Sequence, residues 1–229
     1  MFTTREFADH PAPRNPSPPR RWMPVAVTAV LVAVASIVAI VVIRDQPHDF
    51  ATPPAPGGLT TTEPPRELEW KLINGIRLPF SEDGPAQVDG PRAHGYTHTP
   101  QGALVAAWQI ATRVLTDARY EQLLGTQVRA DLGQQQQVRN AVTQARNLTA
   151  DEFEVAFRQP VAFQFATYTS MFARIYFAVP SVKGGYDFVR RAALWDGTDW
   201  VYQVDSGLPE LPNSTGLTGF TTFQDRAGR

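Results

Sequence analysis

From Val25 to Ile43 the chain carries no charged side chain, and only Thr28 and Ser36 are polar. A helix can bond both hydroxyls back to its own carbonyls. The nineteen residues of this run would span about 28 Å as a helix, close to the hydrocarbon thickness of a bilayer. Val and Ile dominate, as in a strand, but no soluble strand runs this long, so length decides for a membrane span. Trp22 stands at its entry, where an indole favours the headgroup layer. A cleaved signal peptide is the rival reading. Against it, the run exceeds the usual signal core, and the cleavage-like Ala33-Val34-Ala35 lies inside the run.

Flanking charge orients the span. Arg14, Arg20 and Arg21 precede it, whereas Arg44 is followed closely by Asp45 and Asp49. The positive side stays in the cytoplasm, which puts everything after Ile43 on the far side. Expected localisation is therefore a single-pass cell-membrane protein with a cytoplasmic N-terminus and an extracytoplasmic C-terminal domain. The chain has no cysteine. That removes disulfides, thiol catalysis and Cys-ligated zinc, and suits an exported bacterial protein better than a small secreted eukaryotic one. A net charge of −1 gives no general attraction to nucleic acid.

Many of the 20 prolines precede Arg66. Residues 1–23 are Pro- and Arg-rich and cannot bury enough apolar surface to fold, so they are expected to form a disordered cytoplasmic tail. The transmembrane helix follows over 24–43. Residues 44–65, with Thr52-Pro53-Pro54-Ala55-Pro56-Gly57-Gly58 and Thr60-Thr61-Thr62-Glu63-Pro64-Pro65, read as a Pro/Thr-rich linker. Fully extended, it would reach about 70 Å.

The folded domain is expected over 66–229, with a loosely structured tail from about 206. Trp70, Leu72, Ile76 and Leu78 mark an opening extended segment, and Pro79 to Pro100 is loop-like. Thr99-Pro100 reads as cap and first turn of a helix whose Leu104, Ala107, Trp108, Ala111 and Leu115 share one face. A second helix is expected from Asp117, carrying Tyr120, Leu123, Leu124 and Val128. Gly133 is expected to break it from a third bearing Val138, Val142 and Ala145. After Asp151 apolar residues alternate: Phe153, Val155 and Phe157, then Val161, Phe163 and Phe165, then Ala173 to Val179. Lys183-Gly184-Gly185 is a turn, and Asp196-Gly197-Thr198-Asp199 joins strands Tyr186–Trp195 and Trp200–Asp205. Helices first and an antiparallel meander afterwards predict an α+β domain. The expected form is helices packed on a curved antiparallel sheet, as in the cone-shaped nuclear-transport-factor-2-like (NTF2-like) fold. From Ser206 the chain has little periodicity, and Leu208, Leu211, Leu217, Phe220 and Phe223 either dock or form a flexible end.

Chemical signatures are absent. His94 and His98 have the spacing of helical metal ligands, but Gly95 lies between them, Pro100 follows, and no Glu completes a zinc-protease motif. They are expected to hold a loop. There is no nucleophile elbow, phosphate loop or dinucleotide fingerprint. Arg190 and Arg191 point to opposite faces of a strand; one could enter the concave side and pair with an acid such as Glu154, as an ion pair before an anion site. Trp108 with Phe163 and Phe165 could line a pocket, though core packing explains them better. Catalytic, cofactor and metal residues are accordingly none, and no cofactor is expected.

Two stretches carry a resemblance. One is Gly75-Ile76-Arg77-Leu78-Pro79 with Gly90-Pro91 and His98-Thr99-Pro100-Gln101-Gly102-Ala103-Leu104-Val105-Ala106-Ala107; the other is Leu194-Trp195-Asp196-Gly197-Thr198-Asp199-Trp200. Together they resemble an uncharacterised family of actinobacterial membrane-anchored proteins, some carried on integrated conjugative elements. Thr198 is an insertion relative to the tighter turn of that family. The resemblance implies an envelope protein and supplies no catalytic residues. In the first stretch Gly102, Ala103, Ala106 and Ala107 are small enough to let the helix approach the sheet. The layout matches accessory subunits of conjugation and secretion channels. Expected partners are the membrane and other envelope or channel proteins, further copies of the chain included, and not nucleic acid. The alternative is a small-ligand-binding or enzymatic cone acting on cell-envelope material.

Overall fold

The computed structural model describes residues 60–204 and 206–223. The expected cytoplasmic tail, the expected membrane span, most of the expected linker and the last six residues lie outside the described residues. Among the described residues no helix is long and apolar enough to cross a membrane.

The domain is a mixed α+β structure. It opens with a hairpin of β1 (Glu69–Ile73) and β2 (Ile76–Phe80). Asn74 and Gly75 form its turn with φ of 51° and 82°, the left-handed pair that a two-residue hairpin loop demands. A smaller hairpin follows within the stretch expected to be loop, β3 (Gln87–Asp89) and β4 (Arg92–His94), turning at Gly90. Helix α1 (Pro100–Thr116) starts as expected: Thr99 accepts a hydrogen bond from the Gly102 N–H, and Pro100 occupies the first turn. Every residue of α1 from Pro100 to Leu115 is buried, so this helix is the axle of the core and needs no polar face. Ala103, Ala106 and Ala107 are fully buried. Gly102 serves a different approach from the one expected. A Cβ there would stand 1.9 Å from the Thr97 carbonyl oxygen, so it admits the preceding loop and not the sheet.

Helix α2 (Tyr120–Thr126) is shorter than expected: Asp117 caps the end of α1, and Val128 leaves the helix for β5 (Val128–Arg129). Gly133 does not break a helix but lies in the first turn of α3 (Leu132–Arg146). The break is set by Asp131, which forms a reciprocal capping box with Gln134. Residues 153–157 are also corrected. They form helix α4 (Ala150–Ala156) and its C-cap, because Thr149 and Glu152 make a second capping box. The spacing of Phe153 and Phe157 suits both periods, and the cap decides for the helix.

The remaining strands are β6 (Ala162–Tyr168), β7 (Phe172–Pro180), β8 (Tyr186–Trp195), β9 (Trp200–Gln203) and β10 (Thr221–Thr222). They form one sheet in the order β10-β6-β7-β8-β9-β5, antiparallel except where β5 runs parallel to β9. Trp108 of α1 packs on Phe177 with ring centres 5.0 Å apart. The C-terminal segment crosses the sheet's other face before adding β10 to β6. On that face Tyr176 donates to the Pro209 carbonyl at 3.0 Å, Arg190 to the Leu208 carbonyl at 2.9 Å, and Phe220 packs on Phe188. Phe223 then turns back onto Trp70 and Phe163, at 5.6 and 5.0 Å between ring centres.

Candidate functional site

A groove of about 770 Å³ opens between the tip of the β1–β2 hairpin and the corner where α3 gives way to α4. Leu72, Phe153 and Phe157 supply its apolar surface, and Arg77, Arg146 and Arg158 its cations. Local sequence places each. Asn74-Gly75 reverses the hairpin so that Leu72 and Arg77 face each other across the strands. The Thr149–Glu152 box starts α4 afresh after α3, and four-residue spacing brings Phe153 against Phe157, ring centres 4.7 Å apart and planes tilted by 44°. Leu72 is 67% exposed, an unusual position for a large aliphatic side chain unless something covers it.

Two of the cations are held by neutral groups. Arg146 donates to the Ala118 carbonyl at 3.3 Å and lies over the Tyr120 ring at 5.1 Å, while Arg158 donates to the Pro180 carbonyl at 3.3 Å. None of the three takes part in the ion pairs formed among the described residues. Glu154 is the acid in the lining. The groove thus combines an apolar floor with cations whose charge is largely uncompensated.

Arg190 and Arg191 do lie on opposite faces, but neither pairs with Glu154, which belongs to the groove. Arg190 binds Glu210 at 2.9 Å on the face crossed by the C-terminal segment. Arg191 turns toward α1, 8% exposed, with its guanidinium 5.9 Å from the Trp108 ring centre. It donates to the Arg190 carbonyl at 3.0 Å, while its Nε and the Trp108 Nε1 have no partner among the described residues. Burial pushes the Arg191 pKa down from the ordinary arginine value, with Tyr202 opposing and Arg190 adding to that shift. Trp108 and Phe163 are core residues, 5% and 0% exposed, and Phe165 packs against the same core.

The two histidines serve separate contacts. His94 meets Asp89 at 2.7 Å within the small hairpin. His98 bonds the Ser170 carbonyl and stacks on Trp195, ring centres 3.9 Å apart. No cluster of three or more metal-ligating side chains occurs among the described residues. Beside His98, Asp199 is a buried carboxylate that accepts from the backbone N–H groups of Gly95 at 2.7 Å, Tyr96 at 3.0 Å and Trp200 at 2.8 Å. The indole of Trp200 donates to the Thr97 carbonyl at 2.9 Å. These contacts fasten the loop before α1 to the β8–β9 hairpin.

Sequence reasoning missed the groove. Asn74-Gly75 between apolar runs and Thr149-Ala150-Asp151-Glu152 were the available signals for its two walls. A family model described as a domain of unknown function (DUF8175) matches residues 41–222. No curated protein and no solved structure matches the chain.

Proposed function

The chain belongs to the DUF8175 family, and from that premise we propose that it is a membrane-anchored, extracytoplasmic protein-binding component, an accessory subunit of an actinobacterial conjugation or secretion apparatus. The observation that carries this reading is the groove: an exposed apolar floor ringed by arginines without carboxylate partners. Such a surface is suited to another polypeptide; its lining holds one carboxylate, Glu154, and no nucleophile–base pair is formed there among the described residues. The anchor rests on the uncharged run Val25–Ile43 and the arginines before it. An anchored domain on a linker searches for partners in two dimensions, where local concentration substitutes for intrinsic affinity. We read the architecture as an NTF2-like cone. In support, α1 is wholly buried against the sheet, and β5 runs parallel to β9 at the sheet's edge.

The test is crosslinking of the full chain in its native membrane, with mass spectrometry of the products. Envelope or channel subunits, or second copies of the chain, are the expected products. Absence of any recurrent crosslinked protein would sink the reading. One observation favours a second reading, a small anionic ligand held inside the cone: the orphan donors of Arg191 and Trp108 face the same interior. An Arg191→Met variant that retains its fold and its crosslinked partners but loses function in the cell would favour that ligand over protein binding.

A further inference from the structure

We propose that the groove between the β1–β2 hairpin and the α3–α4 corner is a docking slot for an acidic segment of a partner polypeptide, anchored by one aromatic or large aliphatic side chain. This rests on the protein-binding reading and names the chemistry of the partner.

The first argument is charge. Acids are not scarce in this chain, with 22 Asp and Glu against 21 Lys and Arg. Elsewhere Arg66, Arg119, Arg129, Arg139 and Arg190 each find a carboxylate, while Arg92, Arg113, Arg174 and Arg191 also go without one but do not line this groove. Arg77, Arg146 and Arg158 form no ion pair among the described residues, yet they converge on one slot whose lining holds the single acid Glu154. A guanidinium has five N–H donors. Arg146 and Arg158 spend theirs on one backbone carbonyl each, which orients them while leaving charge and donors for a ligand. Arginine prefers bidentate carboxylate partners, so aspartate or glutamate side chains are the fitting complement.

The second argument is shape and polarity. Leu72, Phe153 and Phe157 give the slot an apolar surface where a ring or branched side chain removes water from both partners. The surface is recessed between two walls and does not project, which suits an inserted side chain and not a bilayer surface. Nucleic acid is disfavoured by Glu154 in the lining and by the absence of net positive charge.

The experiment uses the full chain in phosphatidylcholine nanodiscs as bait for a phage-displayed library of random dodecapeptides. Enriched peptides are expected to carry at least two carboxylates flanking Phe, Trp or Leu. A synthetic copy of the best peptide should bind about tenfold more weakly to Arg77→Glu/Arg158→Glu. A lysine-for-acid version of that peptide should bind this variant better than it binds wild type. Leu72→Ser, at an exposed position, should also weaken binding while leaving the melting temperature unchanged, which keeps the test independent of misfolding. The proposal would be overturned by no enrichment, by enrichment without acidic bias, by peptide binding indifferent to these variants, or by enrichment appearing only after residues 44–59 are deleted, which would make the chain's own linker the occupant. Groove-dependent binding to phosphatidylglycerol vesicles with no acidic peptide selected would assign the slot to lipid instead. Native-membrane crosslinks that recur but map away from Leu72 and Phe157 would leave the assembly function standing and remove this slot from it.

Discussion

Replacing Asp199 tests what joins the two ends of the domain. Its carboxylate takes three backbone N–H groups, two on Oδ1 from Tyr96 and Trp200 and one on Oδ2 from Gly95. Asn at this position keeps the first oxygen but turns an NH2 group toward the Gly95 N–H, and every remaining bond loses its charge assistance. Gly95 is exposed, so water can relieve part of that loss, and the net cost of Asp199→Asn is about 2 kcal/mol. Asp199→Ala is worse. It strands the N–H groups of Tyr96 and Trp200, residues only 4% and 0% exposed, at about 1–3 kcal/mol each. For a domain of this size each kcal/mol lowers Tm by about 2–4 °C, so the Asn variant should melt roughly 4–8 °C early and the Ala variant earlier still. The assay is a thermal melt followed by tryptophan fluorescence, to which Trp200 contributes along with the other four tryptophans, with hydrogen exchange at Gly95 and Tyr96 to localise the loosening. If both variants melt within about 1 °C of wild type, or if the faster exchange appears elsewhere, the carboxylate is not the fastener described.

Three further outcomes are expected. Phe223→Ala should cost about 2–3 kcal/mol in a denaturant melt, because its half-buried ring packs on Trp70, Phe163 and Phe177; a fragment ending at Asp205 should lose at least as much, and equal stability of the two lengths would show that the C-terminal segment does not dock. Arg191→Met should stabilise the domain by about 1 kcal/mol, since a desolvated guanidinium without a carboxylate is exchanged for an apolar side chain; a loss beyond about 2 kcal/mol would instead make the Trp108 contact a structural one. A reporter active only in the cytoplasm, fused after Arg229, should be silent, and activity there would reverse the orientation drawn from Arg14, Arg20 and Arg21.

Local chemistry explains which parts of the fold were legible. Thr99-Pro100 announces a helix start because cap and first turn are set by two adjacent residues, and the strands of the meander announce themselves by alternation and by Gly at their turns. Segment 153–157 shows the limit. Phe, Val and Phe at every second position read as a strand, yet the first and third are also four apart, and only the box between Thr149 and Glu152 separates the two readings. Val128 likewise continues a helical pattern in sequence, but its backbone is claimed by β9, far along the chain. The histidine loop was readable as non-helical because Gly95 lies between the two histidines and Pro100 follows, and His94 and His98 indeed make separate contacts. The groove was not readable, since its walls lie some seventy residues apart and neither is unusual alone.

The two stretches that carried the family resemblance are distant in sequence and adjacent in space. His98 stacks on Trp195, the Thr97 carbonyl accepts from the Trp200 indole N–H, and Asp199 accepts from the backbone N–H groups of Gly95 and Tyr96. This joint sets where α1 begins, and α1 is the element against which the sheet packs, with α2 and α3 alongside. These contacts serve the fold by joining the loop before α1 to the β8–β9 hairpin. The groove stands apart from the joint. Of the residues in those stretches only Gly75 and Arg77 reach it, and its other wall, the α3–α4 corner, lies wholly outside them. The joint that fastens the fold and the proposed docking slot are built from separate residues, so substitutions in the slot should leave the joint, and with it the melting temperature, unchanged.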